Sequence, residues 1–184
     1  DYAQVPDVPG LIETHIAGIL ATGTGAITLG GDHSITLPIL RAHAAKYGPM
    51  ALIQVDAHTD TWPNYEPSRV DHATFCYTAV QEGLIDVSRS VHIGNRTVVD
   101  DNLGIAILDA RAVHERGPAA IAAQARELVG DAPVYLSFDI DGLDPAYAPG
   151  TGTPVWGGLS SAQAAALLRA LAAPRCWSTA MQPH

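Results

Sequence analysis

Lysine occurs once in this chain, at Lys46, and cysteine twice, at Cys76 and Cys176. With 10 Lys and Arg against 19 acids, and a formal charge of −9, there is no material for a phosphate-reading surface. Nucleic acid is therefore not an expected partner. Two thiols so far apart make no disulfide framework; they read as free thiols in a reducing cytosol. No apolar run reaches membrane-spanning length, so no membrane partner is expected. The chain opens Asp1-Tyr2-Ala3-Gln4, with no basic-then-apolar leader and no initiator Met. This opening gives the expectation of a cytoplasmic protein whose true start is processed or missing. The acidic balance also favours a cationic substrate.

What is present is an ordinary globular composition, 47% hydrophobic and 16% charged over 184 residues. That fits a single domain over 1–184, with a real core and no repeat or linker. Asp1 to Gly10 reads as an extended lead-in, and Leu11 to Thr22 has helical spacing. Ala26–Leu29, Met50–Val55, Val91–Gly94, Ile105–Leu108 and Val134–Phe138 read as short buried strands. Helices are expected from a Ser34 cap to about Tyr47, over about Ala73–Glu82, over Ala119–Val129 behind Pro118, and from Ser160 or Ser161 to about Ala172. Thr61 to His72 and Gly142 to Gly158 read as loops. Strands alternating with helices imply an α/β fold with a mostly parallel sheet, whose sites lie beyond the carboxyl ends of the strands.

Three clusters fall at such ends: Gly30-Gly31-Asp32-His33-Ser34, Asp56-Ala57-His58-Thr59-Asp60 and Asp139-Ile140-Asp141. Together His33, Asp56, His58, Asp60, Asp139 and Asp141 offer four carboxylates and two imidazoles. Unpaired, clustered carboxylates repel and take up protons; two divalent cations remove that cost. Many carboxylates with few imidazoles and no thiolate suit Mn²⁺ better than Zn²⁺. Asp32 and Ser34 read as turn and cap residues. His15, His43, His92, His114 and His184 read as structural or solvated, whereas His72 lies in the acid-rich loop and could face the site.

These clusters resemble the three signatures of the ureohydrolases, the arginase and agmatinase family. The third continues as Gly142-Leu143-Asp144-Pro145 through Thr153-Pro154 to Gly157-Gly158-Leu159. Asp56 to Thr61 (D-A-H-T-D-T), the Asp71 to Tyr77 segment and Ser90-Val91-His92-Ile93-Gly94 look most like bacterial agmatinases, although Ala73 stands where the family has glycine. The resemblance implies a three-layer αβα fold and two Mn²⁺ per chain. One ion would be held by His33, Asp56, Asp60 and Asp139, the other by Asp56, His58, Asp139 and Asp141. It also implies catalytic work for Asp141, substrate binding or proton transfer for His72, and assembly as trimers or hexamers. The implied reaction is hydrolysis of a guanidinium group, agmatine giving putrescine and urea, with guanidinobutyrate or arginine as alternative substrates.

Two departures shape the expectation. The chain begins inside the family's pattern, without its first strand and Gly-rich loop, so the fold is expected to be incomplete. After Leu171 the residues 172–184 diverge from the family's D-x-x-E-x-x-P segment, and no Glu follows Glu127. The family's guanidinium-gripping carboxylate is thus expected to be missing and turnover of agmatine to be poor. A catalytically impaired, metal-binding subunit is the competing reading. A single-zinc, deacetylase-type site leaves Asp60 without a task.

Overall fold

A computed structural model of the chain describes residues 7–65, 71–98 and 101–172. Four short strands form one parallel sheet in the order β3-β2-β1-β4: β1 is Ala51–Val55, β2 Val91–Ile93, β3 Ala106–Leu108 and β4 Val134–Phe138. Register places Ile53 beside Val91 and Leu136, and Val91 beside Ala106. Every residue of β1 is buried, as an inner parallel strand covered on both faces requires.

Side-chain alternation assigns the two faces. Ala51, Ile53, Val55, Val91 and Ile93 enter one core with Val113, Ile121, Ala125, Val129 and Leu167. The last five come from α4 (Ala110–Arg116), α5 (Pro118–Val129) and α6 (Ser161–Leu171). Leu52 faces the other way, against Leu37, Leu40, Phe75 and Ala79 of α2 (Thr36–Tyr47) and α3 (Phe75–Gln81). α1 (Val8–Ala21) packs Ile16 and Leu20 on Ile39 and Ala42 of α2. Helices on both faces of a parallel sheet make the three-layer αβα arrangement.

The boundaries depart from the sequence reading in four places. α1 begins at Val8, not after Gly10: Asp7 caps it through the Gly10 N–H (3.1 Å), and Pro9 sits in the first turn, where a missing N–H costs nothing. α2 begins at Thr36 rather than on a Ser34 cap; Asp32 instead caps a 3₁₀ turn over His33–Ile35, accepting from the Ser34 N–H at 2.8 Å. α4 was not expected at all, yet Asp109 accepts from the Ala112 N–H (2.7 Å) at one end and Gly117 stops it at the other.

The fourth departure is the largest. Ala26–Leu29 is neither a strand nor buried: Ile27 is 94% and Leu29 93% exposed. β4 pairs only with β1 among the described residues, so its other edge carries unpaired backbone. Between that edge and residues 28–32 lies a cavity of about 340 Å³, lined also by Tyr135, Ser137 and Asp139. A strand needs a neighbour for its N–H and C=O groups, and among the described residues the segment has none.

Candidate metal centre

The carboxyl ends of β1 and β4 lie side by side, because Val55 pairs with Phe138. The backbone turns sharply just beyond. The Asp56 carboxylate accepts from the His58 N–H (2.7 Å), and Asp139 accepts from the Asp141 N–H (3.0 Å) at the 3₁₀ turn Ile140–Gly142. Asp60 adopts φ +52°, the left-handed region that short acids tolerate better than most residues. Its carbonyl is held by the Cys76 and Tyr77 N–H groups (3.2 and 3.4 Å) at the start of α3. His33 arrives from the turn before α2 and packs on Phe75, ring centroids 4.4 Å apart.

These turns gather all six predicted donors. His33 Nδ1 lies 2.8 Å from Asp60 Oδ2, 3.1 Å from Asp56 Oδ2 and 3.4 Å from Asp139 Oδ2. His58 Nδ1 lies 3.1 Å from Asp141 Oδ2 and 3.4 Å from Asp56 Oδ1. Two three-residue groups have the reach to hold an ion, His33/Asp56/Asp60 and Asp56/His58/Asp141. Asp56 belongs to both, one oxygen toward each histidine. Asp139 lies beside these groups, one oxygen 3.4 Å from His33 Nδ1 and the other accepting from the Asp141 N–H.

The electrostatics show what this crowding costs. Burial would lower His33, but its contacts with Asp56 and Asp60 win and raise it to about 10. Asp141 and Asp56 raise His58 to about 10. Burial and the neighbouring Asp56 charge push Asp60 up to about 6, and burial with the Asp56 and Asp141 charges raises Asp139. Burial also opposes ionisation of Asp56, yet His33 and His58 hold its pKa below the usual carboxylate range. The crowding thus favours protons on His33, His58, Asp60 and Asp139 while keeping Asp56 ionised. His33 Nδ1, buried among three carboxylate oxygens, makes close ion-pair contacts but no well-directed hydrogen bond to any of them. That nitrogen and the oxygen-rich donor set fit hard divalent cations.

Residues not singled out from the sequence hold this cage. Ser137 Oγ lies 2.7 Å from His33 Nε2, which leaves Nδ1 for the carboxylates. Gln54 Nε2 donates to Asp56 Oδ2 at 2.9 Å. Asp141 accepts from the Ala57 N–H (3.1 Å) and the Thr153 hydroxyl (3.0 Å). Arg96 ties the end of β2 to the long loop, donating to the carbonyls of Gly94 (3.1 Å), Asp141 (2.6 Å), Leu143 (3.1 Å) and Val155 (2.7 Å). Asp144 folds that loop back by accepting from the Gly157 and Gly158 N–H groups (2.7 and 3.1 Å). A Cβ at Gly158 would lie 2.5 Å from the Asp144 nitrogen, so the close approach requires glycine. The sequence did offer a signal for Gln54 and Ser137: polar side chains in otherwise apolar inner strands.

His72 is exposed on the turn leading into α3. His92 is fully buried on β2, and burial lowers it to about 4. Cys76 is a free, buried thiol whose pKa burial raises; Cys176 lies outside the described residues. Beside the Asp60 turn, Thr59, Thr61, Trp62, Tyr65 and Asp101 line a second cavity of about 240 Å³. No helix among the described residues is long and apolar enough to cross a membrane.

Comparison with known proteins agrees with this geometry. The arginase family model matches residues 1–179. An agmatinase from Proteus mirabilis is 52% identical over 171 residues, covering 93% of this chain and 55% of the relative. The crystal structure of a hypothetical agmatinase from Burkholderia thailandensis superposes with a TM-score of 0.89 at 52% identity, covering 93% of this chain and 55% of that one. Proclavaminate amidino hydrolase from Streptomyces clavuligerus gives a TM-score of 0.83 at 40% identity, with 91% and 57% covered. The chain spans about half the length of the curated relatives it matches. Two signatures at the ends of parallel strands and a third on the turn before α2, six converging donors and these likenesses lead to one conclusion: the chain belongs to the arginase family.

Proposed function

We propose that this chain is the catalytic part of a binuclear manganese ureohydrolase acting on agmatine, giving putrescine and urea. The observation that carries the reading is the shared carboxylate of Asp56, one oxygen in each of two donor groups that also contain His33 with Asp60 and His58 with Asp141. In this reading His33, Asp56, Asp60 and Asp139 hold one Mn²⁺, and Asp56, His58, Asp139 and Asp141 the other. Bound there, the ions would supply a nucleophilic hydroxide from water near neutral pH.

The remaining work falls to the chain. Asp141, fixed by Ala57 and Thr153, presents a carboxylate to the reacting guanidinium. His72, on its exposed turn, carries a proton toward the leaving amine. Trp62, Tyr65 and Asp101 give the adjoining cavity aromatic faces and one acid, which suits a cationic chain. In the full-length protein we expect a cytoplasmic homo-oligomer, trimeric or hexameric.

The likeness to proclavaminate amidino hydrolase favours a second reading, hydrolysis of another guanidine such as guanidinobutyrate or arginine. A third reading is a metal-holding subunit with little turnover. One assay separates them. The purified chain is loaded with Mn²⁺ and urea is measured against agmatine, guanidinobutyrate and arginine. Preferential urea release from agmatine is the expected result. Preference for another guanidine selects the second reading. Full metal loading with no urea from any substrate selects the third.

A further inference from the structure

The sheet face beneath the acid cluster carries a polar row that no hydrophobic core requires. Register sets His92 of β2 and Ser137 of β4 on either side of Gln54 in β1. Gln54 and His92 are both 0% exposed. Ser137 has its partner in His33, and Gln54 Nε2 has Asp56. Three atoms do not: Gln54 Oε1 and both ring nitrogens of His92. Each unpaired buried polar atom carries a desolvation cost that a hydrogen bond would offset. Three of them on register neighbours, in parallel strands about 4.8 Å apart, are chemically complementary. A neutral imidazole has one N–H to give, and the amide oxygen accepts it.

We propose that His92 is a positioning residue for the metal centre, acting through Gln54: a small side-chain rotation brings a His92 N–H onto Gln54 Oε1 and locks the amide with its NH₂ toward Asp56. The lock matters because an amide can turn over. With oxygen and nitrogen exchanged, Gln54 would set an acceptor against the Asp56 carboxylate and push it out of place. A donor behind Oε1 permits only one orientation. Asp56 serves both donor groups, so its placement governs both ions. The inference rests on the two-ion reading above.

The test is a double-mutant cycle on the full chain. His92→Leu, Gln54→Leu and the double variant are titrated with Mn²⁺, the free ion being read by electron paramagnetic resonance. Each single change should weaken binding roughly 10- to 100-fold, the usual range for side chains that orient ligands. The double variant should be no weaker than Gln54→Leu alone. His92→Gln, which keeps a donor, should retain most of the affinity and guards against a leucine variant that fails to fold. Parent-like affinity in folded His92→Leu, or single losses that multiply in the double, would overturn the inference.

A second readout does not depend on metal. In the metal-free parent, nitrogen-15 spectra should show His92 as a neutral ring with one slowly exchanging N–H. That proton should shift upfield in Gln54→Leu, where the acceptor is gone. An unshifted proton overturns the inference even if the parent binds no Mn²⁺, whereas failure of the parent to bind Mn²⁺ counts against the two-ion reading alone.

Discussion

Asp56 places one carboxylate oxygen toward each histidine of the centre, and the other acids do not. Asp56→Ala should therefore remove both ions and Asp60→Ala mainly one, as counted by metal analysis after Mn²⁺ loading. Equal losses would show that Asp56 is not shared. The same residues set a pH dependence. His33 and His58 sit near 10 in the metal-free protein, above their ordinary 6.5. A raised folded-state pKa gives stabilisation that is fully present below 6.5 and lost as pH rises through 10. Metal-free protein should accordingly melt at lower temperature at pH 10 than at pH 7. Asp60, titrating near 6, acts below that window. Mn²⁺ must displace the two imidazole protons, so loading near pH 7.5 should release roughly two protons per chain. Calorimetry in buffers of different ionisation enthalpy measures this; no release would mean that the histidines are not ligands.

At the scale of elements, capping explains where helices begin better than apolar spacing does. α6 starts behind Ser160 because Ser160 and Gln163 satisfy each other's backbone N–H groups, a reciprocal box visible in the sequence. α4 is only seven residues long, too short for a periodic signal, and depends on the Asp109 cap. Asp109→Ala should cost about 1 kcal/mol, read from urea denaturation; no change would show that packing of Val113 alone holds the helix. The segment 26–29 makes the opposite point. It has strand composition without a strand's partner, and leaves Ile27 and Leu29 in water beside an open edge of β4. Such an edge is a ready template for further pairing.

For the molecule as a whole, Arg96 is the tie between layers. Its guanidinium links β2 to the loop that follows β4 and so fixes the backbone of Asp141. Arg96→Ala strands several loop carbonyls and should cost about 2–4 kcal/mol, with Mn²⁺ affinity falling alongside. Denaturation and metal titration of the same variant test the pair. Lost stability with unchanged affinity would show that the loop does not carry Asp141.

The sequence by itself determined the strand ends and the donors. Val134–Phe138 and Ala51–Val55 are apolar runs long enough to be buried, and the acids and histidines that follow them have few other uses at such positions. It also determined Ser160 and Pro118 as helix starts, because caps and first-turn prolines act within a few residues. The tertiary structure decided everything that depends on a neighbour from elsewhere in the chain. It denied Ala26–Leu29 a strand for want of a partner, set Ser137 behind His33 across 104 residues, and left His72 exposed. It also put His92 against Gln54 through a parallel register that no local pattern encodes. Spacing can announce a ligand; only the packing of one strand on another fixes which atom of it faces the ion.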